Sequence, residues 1–172
     1  MAKYSYGISA FTMGDIDGTT GLQTSPVDLK ETVYKDTFNV TEEEGSSVDH
    51  YSEMDSTPKI SFQDIGKETI TFQMMDTDVD KLVLFLGGTK TVVGGRDTWN
   101  KPSGAVSIEK YIKVTTLDGT DLEYPRVQVS ARKNFQLRKQ GIWLLDVTMT
   151  VLTPLLPSGT PLSPVIVTDP AP

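Results

Sequence analysis

Residues 76–89 read D-T-D-V-D-K-L-V-L-F-L-G-G-T, the spacing in this chain that most suggests chemistry. Aspartates at 76, 78 and 80 could open a calcium loop, which also wants glycine at its sixth position and glutamate at its twelfth. Counted from Asp76, those positions are Lys81 and Gly87, and the segment before them is strand-like rather than helical. A short helix accounts for more of the residues. Asp78 is placed as its N-terminal cap, with Asp76 and Asp80 adding negative charge near the unpaired first-turn amides. Val79, Leu82, Val83 and Leu86 share one face, and Gly87 closes the helix in a left-handed conformation, with Gly88 allowing an abrupt exit. Leu84 and Phe85 fall off that face. The helix is then apolar nearly all round and needs cover on its other side.

The other reactive residue types lead away from catalysis. His50 is the single histidine and stands among Asp49, Tyr51 and Glu53; a lone imidazole in an acidic segment reads as solvated, not as a general base. Glu42, Glu43 and Glu44 cluster on one loop instead of flanking a pocket, so paired-carboxylate hydrolysis is a poor fit. G-T-T-G and G-G-T-K lack the strand–loop–helix setting of a phosphate loop, and no nucleophile motif occurs. The expectation is a non-enzyme with no cofactor and no metal.

The elements that must carry these residues are mainly β. Residues 4–11 alternate weakly and predict a strand, and the Gly-, Thr- and Asp-rich 14–26 predicts a loop. Residues 27–40 predict two short strands broken near 34–36. The acidic segment 41–58 predicts a long loop projecting into solvent or onto a partner. Ile60 and Phe62, then Ile70, Phe72 and Met74, predict a hairpin turning at 64–67. A loop follows at 94–104. Val106, Ile108, Ile112 and Val114 share a face, L-D-G-T at 117–120 supplies a hairpin turn, and Pro125 marks an edge or bulge in the next strand. Trp143, Leu145, Val147, Met149 and Val151 line one face of the clearest strand. From Pro154 onward the chain holds six of its ten prolines, which predicts an extended arm or a disordered end, kept out of any central strand or helix. The fold class is therefore mainly β, an antiparallel β-sandwich or barrel with one short flanking α-helix. One domain spans 1–153, and a Pro-rich C-terminal arm spans 154–172.

Composition bounds the function. The 172 residues suit one domain, and 37% apolar residues is low for a monomer that must complete its own core. The absence of cysteine and of an apolar leader fits synthesis in a cytosol, and no stretch is long enough to span a bilayer. A net charge of −7 argues against gripping nucleic acid through its phosphates. It does not argue against letting DNA pass. Arg132-Lys133 and Arg138-Lys139 form a local basic patch near a turn.

The order of parts resembles the tail tube (major tail) proteins of tailed bacteriophages. It runs from a strand pair through the acidic loop beginning T-E-E-E-G-S-S to P-K-I-S-F-Q and E-T-I-T-F-Q-M-M-D. There follow the helix D-V-D-K-L-V-L-F-L-G-G-T, a W-N-K-P linker and strands ending I-W-L-L-D-V-T-M-T-V-L-T-P. The resemblance covers about residues 25–155 and is one of layout, without a diagnostic short motif; tube proteins of contractile tails and secretion systems are similar. It implies a structural virion protein that forms hexameric rings stacked into a hollow tube, with a continuous inner barrel conducting double-stranded DNA. It also implies contacts with other tail proteins, assembly in the host cytoplasm and no membrane. The long loop of such proteins reaches the neighbouring ring, which makes Glu42, Glu43, Glu44, Asp49, His50, Tyr51, Glu53 and Asp55 inter-ring candidates. An electronegative lumen would let the polyanion slide. The competing expectation is a monomeric β-sandwich binding carbohydrate or a cell surface through exposed Tyr51, Trp99 and Tyr124.

Overall fold

Alternation of apolar and polar side chains builds one large sheet. The computed structural model describes residues 4–156 and 158–170. Its elements in chain order are β1 (Ala10–Ile16), β2 (Gln23–Asp28), β3 (Asn39–Glu42), β4 (Ser47–His50), β5 (Ile60–Gln63), β6 (Glu68–Met74), α1 (Val79–Leu86), β7 (Thr89–Val93), β8 (Arg96–Asn100), β9 (Ile108–Thr115), β10 (Asp121–Phe135), β11 (Trp143–Val151) and β12 (Ile166–Thr168), with a single 3-10 turn at Lys30–Thr32. The main sheet is antiparallel in the order β2-β1-β9-β10-β11-β6-β3, with β12 added beside β10. It curls into a half-barrel, and the chain is mainly β with one short helix.

One face of this sheet is dry. Phe11 and Met13 of β1, Ile70, Phe72 and Met74 of β6, Ile112 and Val114 of β9, and Leu145, Val147 and Met149 of β11 are all buried. Helix α1 lies over that face, and Phe85 is its only fully buried side chain. Phe72 meets Phe85 edge-on at 6.2 Å and Phe11 at 5.3 Å, the arrangement that ring quadrupoles favour. Of the face expected from periodicity, Val79, Leu82, Val83 and Leu86, the two leucines pack against the core, and the buried face is rotated from the valines toward Phe85. The largest ring takes the deepest position, with Leu82, Leu84 and Leu86 packed beside it.

The helix is fixed at both ends. The Asp78 carboxylate accepts from the Lys81 amide at 2.7 Å, and the Gly87 amide, at φ 70°, donates to the Val83 carbonyl. The next hairpin clamps it: Trp99 Nε1 donates to the Gly87 carbonyl at 2.8 Å, and Lys90 Nζ lies 2.9 Å from Asp80 and from Asp97. The triad of aspartates that resembled a calcium loop is engaged this way, Asp76 accepting from the Asp78 amide.

Several expectations are corrected. The first strand starts at Ala10, beyond most of 4–11, and continues through Gly14 into the segment read as loop. A Cβ on Gly14 would lie 2.4 Å from the Thr24 carbonyl oxygen, so this glycine serves a close approach of β2 at a bulge, not a loop. The 94–104 loop instead begins as β8, because Gly94 and Gly95 both take positive φ and close a two-residue hairpin from β7. β5 and β6 do not pair with each other: β5 pairs β4, whereas β6 lies between β3 and β11. The proline-rich tail returns to the body, and Ile166–Thr168 pairs with residues 121–123 of β10, beyond Val127, where the pairing of β10 with β11 ends. Residues 157, 171 and 172 of that arm lie outside the described residues. The Asp-Gly turn at 117–120 forms as expected, and Pro125 sits where the β9–β10 register shifts, so it marks a bulge inside the sheet.

Candidate functional site

Two surfaces carry the arrangements that could do work. The first is built from 39–71. β3 pairs β6 with Asn39 opposite Thr71 and Glu42 opposite Glu68; β4 pairs β5 in the continuing register, Ser47 opposite Gln63 and His50 opposite Ile60. Between the two ladders the Glu43 amide donates to the Lys67 carbonyl and the Asp64 amide to the Ser46 carbonyl. The segment read as a loop is thus a hairpin arm running out of the main sheet. Its strands project roughly 25 Å beyond Glu42 at the usual rise of extended chain. Two glycines make its base possible, since a Cβ on Gly66 would fall 1.6 Å from the Glu43 carbonyl oxygen and one on Gly45 would fall 2.3 Å from that of Asp64.

The arm has two unlike faces. Val48 opposite Phe62, and His50 opposite Ile60, put four bulky groups on one side, with the His50 ring edge-on to Phe62 at 5.9 Å. Ser47, Asp49, Ser61 and Gln63 occupy the other side. Among the described residues nothing covers the first side: Phe62 is 60% exposed and Met54, at the tip, is 97% exposed. An isolated two-stranded ribbon is marginally stable in water, and an exposed apolar strip on an arm is the mark of a contact surface.

All the acidic loop candidates lie on this arm. Glu42, Glu43, Glu44, Asp49, His50, Tyr51 and Glu53 are exposed, and Asp55 is half-buried. Asp55 pairs with Lys59 at 2.6 Å, and that ammonium together with the Thr57 amide holds its carboxyl below the usual carboxylate range.

The second surface is the polar face of the main sheet. Gln128, Ser130 and Thr148 are exposed on it, alternating with the core residues of β10 and β11. Its cations sit against carboxylates. Arg126 grips Glu109 with two bonds of 2.8 and 2.9 Å, which lowers the carboxyl of Glu109. Lys113 lies between Asp121 at 2.8 Å and Glu123 at 2.9 Å. Asp121 is lowered by Lys113 and by the Thr115 hydroxyl. Burial pushes Glu123 up, but bonds from the Tyr111 hydroxyl and Lys113 outweigh it and leave the group lowered. At Asp146 burial also acts upward, and Gln73, Asn134 and Arg132 together bring the carboxyl below its ordinary range. Cross-strand register creates all of these pairs, so no linear motif signals them.

The aromatics proposed for a carbohydrate platform do not converge. Tyr124 is buried with its hydroxyl on Glu68 at 3.0 Å. Trp99 is half-buried and spends its N–H on the helix end, and Tyr51 lies on the arm. Among the described residues no cluster of potential metal ligands occurs, and no helix is long and apolar enough to cross a membrane. No curated protein matches the chain. Residues 25–172 match a family model described as Phage tail tube protein.

Proposed function

Because the chain belongs to the phage tail tube protein family, we propose that it is the major subunit of a tail tube, stacking as rings of six into a hollow channel that conducts double-stranded DNA. The family places the protein in the virion tail together with further copies and other tail proteins; assembly takes place in the host cytoplasm. The chain's role is structural, and no catalytic step is assigned to it.

The observation that carries the reading is the hairpin arm. It is long and amphipathic, and its apolar side has no partner among the described residues, so its stability and its purpose both point to a neighbouring copy. Open sheet edges at β2 and β3 add to this, because a ring of subunits can pair such edges between chains. The polar sheet face suits a channel wall. Lys113, Arg126 and Arg132 each face a carboxylate, so passing phosphates meet hydroxyls, amides and satisfied ion pairs instead of free cations.

Negative-stain electron microscopy at rising protein concentration tests the proposal. Rings or hollow tubes wide enough for duplex DNA are expected. Deleting 45–56 should leave a folded subunit that forms no tubes. Tubes of normal length from the deletion would remove the arm from inter-ring contact, and a monomer at every concentration would sink the assembly reading.

A further inference from the structure

The register of the main sheet places its two projecting hairpins at opposite ends. β11 lies beside β6 with Leu145 opposite Met74 and Thr150 opposite Thr69. The arm leaves from the Glu68 end of β6, whereas the β10–β11 turn lies past Leu145, at the Met74 end. The two hairpins differ in charge. Residues 42–64 hold seven carboxylates and one lysine; residues 131–145 hold Arg132, Lys133, Arg138 and Lys139 and no carboxylate.

The basic end also contains a receptacle. β9 pairs with β10 only as far as Ile108 opposite Val129, while β10 runs on to Phe135. Along the edge so exposed lies a groove of about 500 Å³. Phe85, Leu86 and Val129 give it an apolar floor, Trp99 and Val106 add apolar walls, and exposed Lys101, Arg132 and Lys133 line its rim. The rim is fixed in part, since Lys133 Nζ sits 4.1 Å from the centre of the Trp99 ring. At the tip of the arm, fully exposed Met54 stands between Glu53 and Asp55. An apolar anchor flanked by two carboxylates thus matches an apolar floor flanked by cations.

We infer that the arm tip of one copy seats in this groove of another copy, with Met54 on the floor and Glu53 and Asp55 against Lys101 and Lys133. The inference rests on the tube reading and names the acceptor for the arm. A contact between unlike ends is head-to-tail, and where its rotation does not close into a ring it propagates along an axis. Complementary charge selects the orientation and speeds encounter. The Asp55–Lys59 pair opens on docking at little cost, because an exposed pair contributes little.

Charge exchange tests it. Glu53→Lys with Asp55→Lys, or Lys101→Glu with Lys133→Glu, should each raise the concentration needed for tubes about tenfold or more, with melting temperatures checked for intact folding. Mixing the two variants, or combining all four changes in one chain, should bring the threshold back toward the native value. The chain has no cysteine, so Met54→Cys with Lys101→Cys should give an oxidised ladder extending past dimer, while either change alone stops at dimer. Native tubes whose threshold ignores both reversals, with no ladder, would overturn the acceptor site and leave the tube reading standing. A native protein that stays monomeric at every concentration, with no ladder from the double-cysteine variant, would overturn both.

Discussion

Phe85 shows how a single side chain decides an orientation that periodicity leaves open. An eight-residue helix with six apolar side chains offers several possible faces, and the choice falls to whichever residue gains most by burial. Removing the largest ring from water wins. Phe85 enters the ring cluster with Phe72 while Val83 stays half-buried. Phe85→Ala should therefore cost about 3–5 kcal/mol through lost transfer energy and the cavity left behind, a fall of roughly 10 °C in melting temperature for a chain of this size. Val83→Ala should cost about 1 kcal/mol. Thermal melts of the two variants check this, and equal losses would mean the helix packs on the valine face.

At the scale of elements, the arm depends on one backbone crossing. With the Gly66 position 1.6 Å from the Glu43 carbonyl oxygen once a Cβ is added, Gly66→Ala must push the two chains apart at the base. The sheet from β3 inward keeps its own ladder with β6, so the body should still fold. Amides of 47–50 and 60–63 should lose protection in hydrogen exchange about tenfold or more, and tube formation should fail. Retained protection would show that the base can bend around a methyl group. The same crossing explains why this element was illegible. D-I-G-K reads as a turn joining two strands, yet here glycine serves a close approach. S-S-V-D-H and K-I-S-F-Q are exposed on both faces, so no burial pattern marked them as partners. β9, β10 and β11 were legible because their alternation is set by the core, and an Asp-Gly turn fixes the register of β9 on β10. The helix and its Asp78 cap were legible from local spacing alone. The polar-face ion pairs and the groove were not, because each is assembled from residues that only long-range pairing brings together.

At the scale of the whole molecule, the ion pairs of the polar face couple fold stability to the charge that this face presents. Glu109, Asp121, Glu123 and Asp146 are all held below their ordinary values of 4.5 or 3.8. A carboxyl lowered by folding contributes stability that is fully present above its unfolded value and is lost as pH falls through the lower folded value. Melting temperature should therefore be nearly flat above about pH 5 and fall below about pH 4. Protonation also releases Arg126, Lys113 and Arg132 from their partners, turning a surface of satisfied pairs into one with free cations. Glu109→Gln with Asp146→Asn makes the same change at neutral pH by freeing Arg126 and Arg132. Filter binding of duplex DNA to this variant at pH 7 should reveal retention that the native protein lacks, with affinity falling with salt at a log–log slope of roughly −2 for two freed cations. Its acid limb should also be shallower, since two of the titrating groups are gone. Native protein that held duplex equally well at pH 7 would mean that pairing does not keep this face non-adhesive, and the channel wall would then have to be sought on another surface.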